Sequence, residues 1–353
     1  MKNVALVAGA TGVVGRALIE HLGGRTDWEA ISVARRAERH FATGRHLSVD
    51  LLDAQACRDA LSDAVDITHV FYTAYLARPN DSAQETALNL TMLRNLIEAI
   101  EAVAPGLRHV QLMQGSKWYG SHVGPYRTPA REDQPRHPQA AFYFEQQKWL
   151  TRKQQDNSWT WSALRPHGIW GYTESSNLSP MNAIALYATV MKRLGLPLHF
   201  PGKRNAYDAL YQCTEAAHLA KGMVWAATAP QAANQVFNLT NGDYVRWRYA
   251  WPVIAEWFGM EIGDVIPMSL SDFMADKQPL WDEIVAEHKL IPHRLQDLTV
   301  FKAAETYIFN AEWDQMSANT KAQKAGWTEV VDTYEMFPRQ LQRLVDERMI
   351  PAP

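Results

Sequence analysis

The sequence predicts an α/β fold: a doubly wound parallel sheet with a smaller, mainly helical lobe. Two observations carry this. Short apolar runs rich in β-branched residues alternate with helix-like segments over the first two-thirds of the chain. A glycine-rich turn follows the first run and opens the first helical segment.

The runs VALVAG (4–9), AISVAR (30–35), HVFYTA (69–74), HVQLMQG (109–115) and WSALRP (161–166) read as buried parallel strands. GRALIEHL (15–22) and ETALNLTMLRNLIEAIEAV (85–103) read as intervening helices. The second places Leu88, Met92, Leu96 and Ile100 on one apolar face. Strand, helix, strand with right-handed crossovers gives the doubly wound sheet. Beyond about residue 172 the pattern loosens, and the last third is mostly helical, as in WRYAWPVIAEWFG (247–259) and YEMFPRQLQRLVDER (334–348). The expected division is a dinucleotide-binding unit over 1–172, with about 205–245 returning to it, and a substrate lobe from 173–204 and 246–353.

Bulk properties narrow the function. At 353 residues the chain is long enough for a large core plus a lobe. A net charge of -3 leaves no electrostatic footprint for nucleic acid or an anionic membrane. Two cysteines, Cys57 and Cys213, imply no disulfide framework and fit a reducing, cytoplasmic compartment. The glycines break the first apolar run too early for a signal peptide, and no stretch is long enough to span a membrane. The Asn-Leu-Thr triplets at 89 and 238 read as chance matches to a glycosylation pattern. No metal site is expected.

GATGVVG (9–15) lies between a strand and a helix, the context that makes a glycine motif informative. Its backbone can approach a pyrophosphate closely, and the helix N-terminus directs free N–H groups at it. Gly9, Thr11, Gly12, Val13 and Val14 are therefore candidate cofactor residues of a Rossmann-type domain. About 20 residues on, where an acid would bind a ribose 2′-hydroxyl, stand Arg35 and Arg36. Two guanidiniums suit a 2′-phosphate, so the expected cofactor is NADPH rather than NADH. Asp50, Leu51, Thr73 and Ala74 end further candidate strands and trace the same crevice.

FYFEQQKWL (142–150) raises a chemical question. A short-chain dehydrogenase would place tyrosine four residues before Lys148, yet Phe144 stands there and Tyr143 is one place early. In QGSKWYG (114–120), alignment on Tyr119-Gly120 puts Gly115 where a catalytic serine or threonine is usual, and Lys117 appears beside it. A lysine ammonium near a tyrosine stabilises its anion and is expected to lower its pKa. Taken singly, Tyr143 could be a plain buried aromatic and Lys117 a surface lysine; their conjunction raises both.

The sequence resembles the progesterone 5β-reductase/iridoid synthase family, a divergent branch of the extended short-chain dehydrogenases. GATGVVG, ARR (34–36), HVFY (69–72), GSKWY (115–119), FYF (142–144), RPHGIWG (165–171), FPG (200–202), FNLTNGDYVRWRYAWPVIAEWFG (237–259) and LWDEIVAEHKL (280–290) carry the resemblance over nearly the whole chain. It implies a catalytic lysine and tyrosine at Lys117 and Tyr143, and leaves Lys148 as a solvated helix lysine. Gly115, Tyr143, Pro166 and Ile169 become candidates at the nicotinamide end. Trp118, Tyr119, Met181 and Tyr187 become candidates for an apolar substrate pocket. The chain departs from the family at Trp118 (often His), at Phe144, at Thr73-Ala74-Tyr75 and in the longer loop YTESSNLSP (172–180), which leaves the substrate open.

The implied reaction is NADPH-dependent 1,4-reduction of an enone or enal. Hydride goes to the β-carbon, and Tyr143 and Lys117 stabilise the enolate. The alternatives are 1,2-reduction of a carbonyl or imine, or a non-catalytic NADPH-sensing regulator. The expected partner is a small hydrophobic substrate, and family analogy favours a monomer or homodimer.

Overall fold

The computed structural model describes residues 2–36, 44–78, 81–174 and 179–353. Its centre is a parallel sheet of seven strands: β1 (Asn3–Ala8), β2 (Trp28–Ala34), β3 (Arg45–Ser48), β4 (His69–Tyr72), β5 (His109–Met113), β6 (Thr160–Arg165) and β7 (Gln235–Asn238). Their spatial order is β7-β6-β5-β4-β1-β2-β3. The order turns back at the β1/β4 pair, where the loops after the two strands diverge and leave a crevice at the carboxyl edge.

The alternation within β1 shows why these strands are apolar throughout. Val4, Leu6 and Ala8 join one core layer, and Ala5 and Val7 join the layer on the opposite face. Both faces are covered by helices, so neither set of side chains meets water. The first layer is closed by α2 (Ala54–Leu61) and α3 (Ser82–Val103), with Leu150 from α4 (Ala141–Gln154). On the other face lie α1 (Val13–Gly23) and, after α5 (Pro180–Arg193), helix α6 (Ala216–Thr228). Local chemistry starts the helices where they begin: Asp53, Asp81 and Ser179 accept hydrogen bonds from first-turn N–H groups of α2, α3 and α5.

A third core cluster gathers α5, α7 (Trp247–Trp257), α8 (Thr333–Asp346) and the short helices between them. It is dominated by aromatic packing, as where Trp247 meets Trp170 at 5.8 Å and Phe337 at 5.9 Å between ring centroids. An ion pair of 2.7 Å between Arg343 on α8 and Glu20 on α1 ties this layer to the first helix. Asn89 and Asn238, the asparagines of the two Asn-Leu-Thr triplets, are buried and hydrogen-bonded to backbone; a glycan on either would have no room.

Candidate active site

A long cleft of about 970 Å³ runs along the carboxyl edge of the sheet. Its floor at one end is the loop from β1 into α1. Gly9, Thr11, Gly12, Val13 and Val14 line it there. The glycines are demanded by space. A Cβ on Gly15 would lie 2.3 Å from the Gly9 carbonyl oxygen, and one on Gly9 would lie 2.7 Å from the Ala74 nitrogen, at φ +81°. Thr73 and Ala74 complete this wall, with the Thr73 hydroxyl donating to the Ala8 carbonyl at 2.7 Å. Asp50, Leu51 and Arg35 line the outer end. Arg36 is exposed beside Arg35 and does not line the cleft.

At the inner end, β5 leads into a 3₁₀ turn over Ser116–Tyr119, and α4 begins opposite. Gly115, Lys117, Tyr143, Pro166 and Ile169 all face the same cleft. Gly115 is extended, with φ at -179°, so its lack of a side chain is not a matter of backbone strain. A Cβ there would instead come within 3.2 Å of the Tyr143 hydroxyl.

The Lys117 ammonium stands 5.0 Å from the Tyr307 ring centroid and 5.9 Å from that of Tyr75. Among the described residues it has neither an ion pair nor a hydrogen bond. The Tyr75 hydroxyl donates to Glu85, and its ring stacks on Phe142 at 5.2 Å; Phe142 in turn lies 4.0 Å from Tyr143. The result is a wall of phenol and phenyl rings around one cation. Behind it runs a buried polar chain: Ser121 donates to Ser116 at 2.9 Å, and Ser116 meets His167 Nδ1 at 2.6 Å.

The electrostatics differ from the expectation. Lys117 was expected to lower the pKa of Tyr143. Burial instead pushes that phenol above its ordinary value, Tyr307 and Glu85 add to the rise, and the opposing cation is Arg165. Lys117 is not among the charges that act on it. The phenol is therefore held neutral, as a hydrogen-bond donor. His167 is also held neutral, its pKa pushed down to about 4 by burial.

Four residues expected around the substrate lie elsewhere. Trp118 is buried beneath the Arg165 guanidinium, 3.6 Å from its ring centroid. Tyr119 is buried and donates to Asn238 at 2.7 Å. Met181 and Tyr187 sit inside the helical core, where the Tyr187 hydroxyl donates to the His199 carbonyl. Each is large enough to stabilise a core, and none lines the cleft. Lys148 is exposed and lies 3.7 Å from Glu145. Of the loop 172–180, residues 175–178 lie outside the described residues.

Sequence reasoning missed Phe142, Tyr307, Ser116 and His167 as cleft residues. Ser116 and His167 stand directly beside motif positions, so adjacency alone could have raised them. Tyr307 sits in a π-helical turn over Glu305–Phe309, far along the chain, and carried no signal.

The sequence profile of the PRISE-like Rossmann-fold domain matches residues 46–351. The chain belongs to the PRISE family. An (S)-8-oxocitronellyl enol synthase of Nepeta racemosa is 33% identical over 95% of this chain and 91% of its own length. A 3-oxo-Δ4,5-steroid 5β-reductase of Arabidopsis thaliana is 33% identical over 87% and 83%. Among solved structures, a UDP-glucose 4-epimerase of Thermotoga maritima aligns with a TM-score of 0.70 at 15% identity, covering 97% of this chain and 99% of that one. The Thermus thermophilus epimerase gives 0.68 at 18% identity, over 96% and 98%. These place the PRISE chain's fold with the extended short-chain dehydrogenases, and family membership makes it an enzyme of that superfamily. Among the described residues no helix is long and apolar enough to cross a membrane.

Proposed function

We propose that this PRISE enzyme is an NADPH-dependent reductase of activated C=C bonds in small hydrophobic enones or enals. One observation carries the reading. The half-buried Lys117 ammonium lacks a polar partner among the described residues and faces the cleft that also holds the neutral Tyr143 phenol. An ammonium with open donor capacity on the cleft favours an oxygen on which negative charge develops.

The residues present suit a dinucleotide. The glycine turn packs against the backbone of Gly9 and Ala74 too closely for a Cβ at Gly9 or Gly15, and it opens α1, whose N-terminus suits a diphosphate and whose first turn carries no acid. Arg35 on the cleft favours the 2′-phosphorylated form. Bound NADPH would supply the hydride and its electron pair.

The chain's own groups then act on the substrate. The β-carbon receives the hydride, the C=C pair shifts, and the carbonyl oxygen becomes an enolate oxygen. Tyr143 donates a hydrogen bond to that oxygen, and Lys117 adds positive potential. One proton from water at the α-carbon completes the saturated product. The rings of Phe142 and Tyr307 lower the polarity around that oxygen and strengthen both interactions.

The test is NADPH oxidation with a simple enal and a cyclic enone, using 4-deuterated cofactor and product analysis. Deuterium at the β-carbon of a saturated carbonyl product is the expected result. An allylic alcohol would replace this reading with 1,2-reduction. Tight NADPH binding with no turnover over a broad panel would replace it with a sensing role.

A further inference from the structure

We propose that Arg165 is a positioning residue that holds the Lys117 turn and the Tyr143 helix in register. The inference rests on the reading of those two groups given above. Arg165 ends β6 and is 1% exposed. It does not line the cleft.

Its guanidinium reaches both sides of the site. On the turn side, the plane lies 3.6 Å from the Trp118 ring centroid, and Nη1 donates to the Tyr119 hydroxyl at 3.2 Å. Both residues belong to the 3₁₀ turn that carries Lys117. On the helix side, Nε donates to Gln114 Oε1 at 2.8 Å, and Nη2 approaches Gln147 Oε1 at 3.4 Å. Gln114 Nε2 then donates to the Tyr143 carbonyl at 3.3 Å and to Gln147 at 3.0 Å. A single planar group therefore fixes the residue after Lys117 and, through Gln114, the backbone of Tyr143.

No carboxylate lies within ion-pair distance of Arg165 among the described residues; the Glu132 group it approaches is a backbone carbonyl, at 3.5 Å. Glu132 acts on the guanidinium only through space, so its burial without a direct ion pair is costly, and an apolar residue of similar volume would fill this space more cheaply. A rigid fork of donors with a stackable face supplies what an apolar residue lacks: directed contact to two elements at once. Arg165 is also the cation whose field opposes the raised pKa of Tyr143. The indole at 118 provides the broad face for the stack.

The experiment compares Arg165→Lys, Arg165→Met, Gln147→Leu and Gln147→Glu with the parent enzyme, with Lys117→Met and Tyr143→Phe in parallel. The readouts are kcat and KM for the enone, the NADPH Kd from fluorescence titration, and the circular-dichroism melt. Arg165→Lys keeps the charge but loses the fork, and kcat is expected to fall about 10- to 100-fold, as for a small misplacement of reacting groups, with NADPH Kd nearly unchanged. Gln147→Leu is expected to lower kcat in the same sense, and Gln147→Glu, which keeps the acceptor, to retain it.

Folded Arg165 variants with parental kcat would overturn the proposal. If both Arg165 variants fail to fold, half-buried Gln147 decides: unchanged kcat in Gln147→Leu overturns it, and a loss restored by Gln147→Glu supports it. If Lys117→Met and Tyr143→Phe both leave kcat intact, it is the reading of the reaction that fails. If those two lose activity and the Arg165 and Gln147 variants do not, only this inference fails.

Discussion

The Tyr143 hydroxyl occupies the space that a side chain at position 115 would need, 3.2 Å from where its Cβ would lie. The missing hydroxyl at 115 and the displaced tyrosine at 143 are thus two sides of one packing arrangement. Gly115→Ser restores the residue usual in short-chain dehydrogenases, yet here it is expected to push the phenol aside. We expect kcat to fall at least about tenfold, with the NADPH Kd little changed. Steady-state kinetics beside a fluorescence titration measures both.

Removal of the Tyr143 hydroxyl tests the donor itself. Tyr143→Phe is expected to lower kcat by about 10²- to 10³-fold, the loss typical of one donor to a developing oxyanion. Because burial raises the phenol's pKa above about 10, its loss of activity by ionisation lies above that pH. A kcat profile from pH 6 to about 9.5 should therefore show no alkaline limb from this group. A limb near neutrality that disappears in Tyr143→Phe would contradict the neutral-donor role.

Cofactor choice should rest unequally on the two adjacent arginines. Arg35 lines the cleft and Arg36 does not. Arg35→Ala is expected to weaken NADPH binding about 10- to 100-fold, the worth of a charge-assisted hydrogen-bonded contact, and to leave NADH nearly unaffected. Arg36→Ala should do much less. The ratio of Kd values for the two dinucleotides decides.

Three buried histidines predict acid sensitivity. Burial depresses His69 and His167 to about 4 and His109 to about 3. Between those values and about 6.5 the unfolded chain takes up protons that the folded chain refuses, so stability falls as pH drops through that window. Each such histidine contributes a slope of about 1.4 kcal/mol per pH unit, and the contribution is flat above about 6.5. Thermal melts at pH 7.5, 6 and 5 should show Tm falling with acid. A Tm that rises on acidification would refute the sign.

The parallel sheet was legible because its strands are buried on both faces and so read as continuous apolar runs, and because the β1–α1 turn needs glycine for reasons of space. Tyr143 and Lys117 were legible as residue types in a family pattern. The aromatic wall of the cleft was not. Trp118, Tyr119, Met181 and Tyr187 have the same chemistry as Tyr75, Phe142 and Tyr307, and only the fold sorts the first four into packed interior and the other three onto the cleft. The role of Arg165 was hidden for another reason. Its partners lie 51, 46 and 18 residues away, and no local pattern records such pairings. The direction of the Tyr143 shift was misread because it is set by burial, which sequence does not display, and the cation that opposes it is Arg165 rather than Lys117.

Strand β6 receives its outer neighbour only from β7, which is 70 residues further along the chain, since Gln235 lies opposite Ser162 and Asn238 opposite Arg165. During synthesis the ribosome therefore releases a sheet lacking its last strand, whose apolar border has no hydrogen-bonding mate until residue 238 has cleared the exit tunnel. A stalled or truncated product ending before that point would present this bare border to other nascent copies. Chaperone dependence and clumping in the cell should thus track interruptions in the 166–234 stretch more closely than changes around the glycine turn.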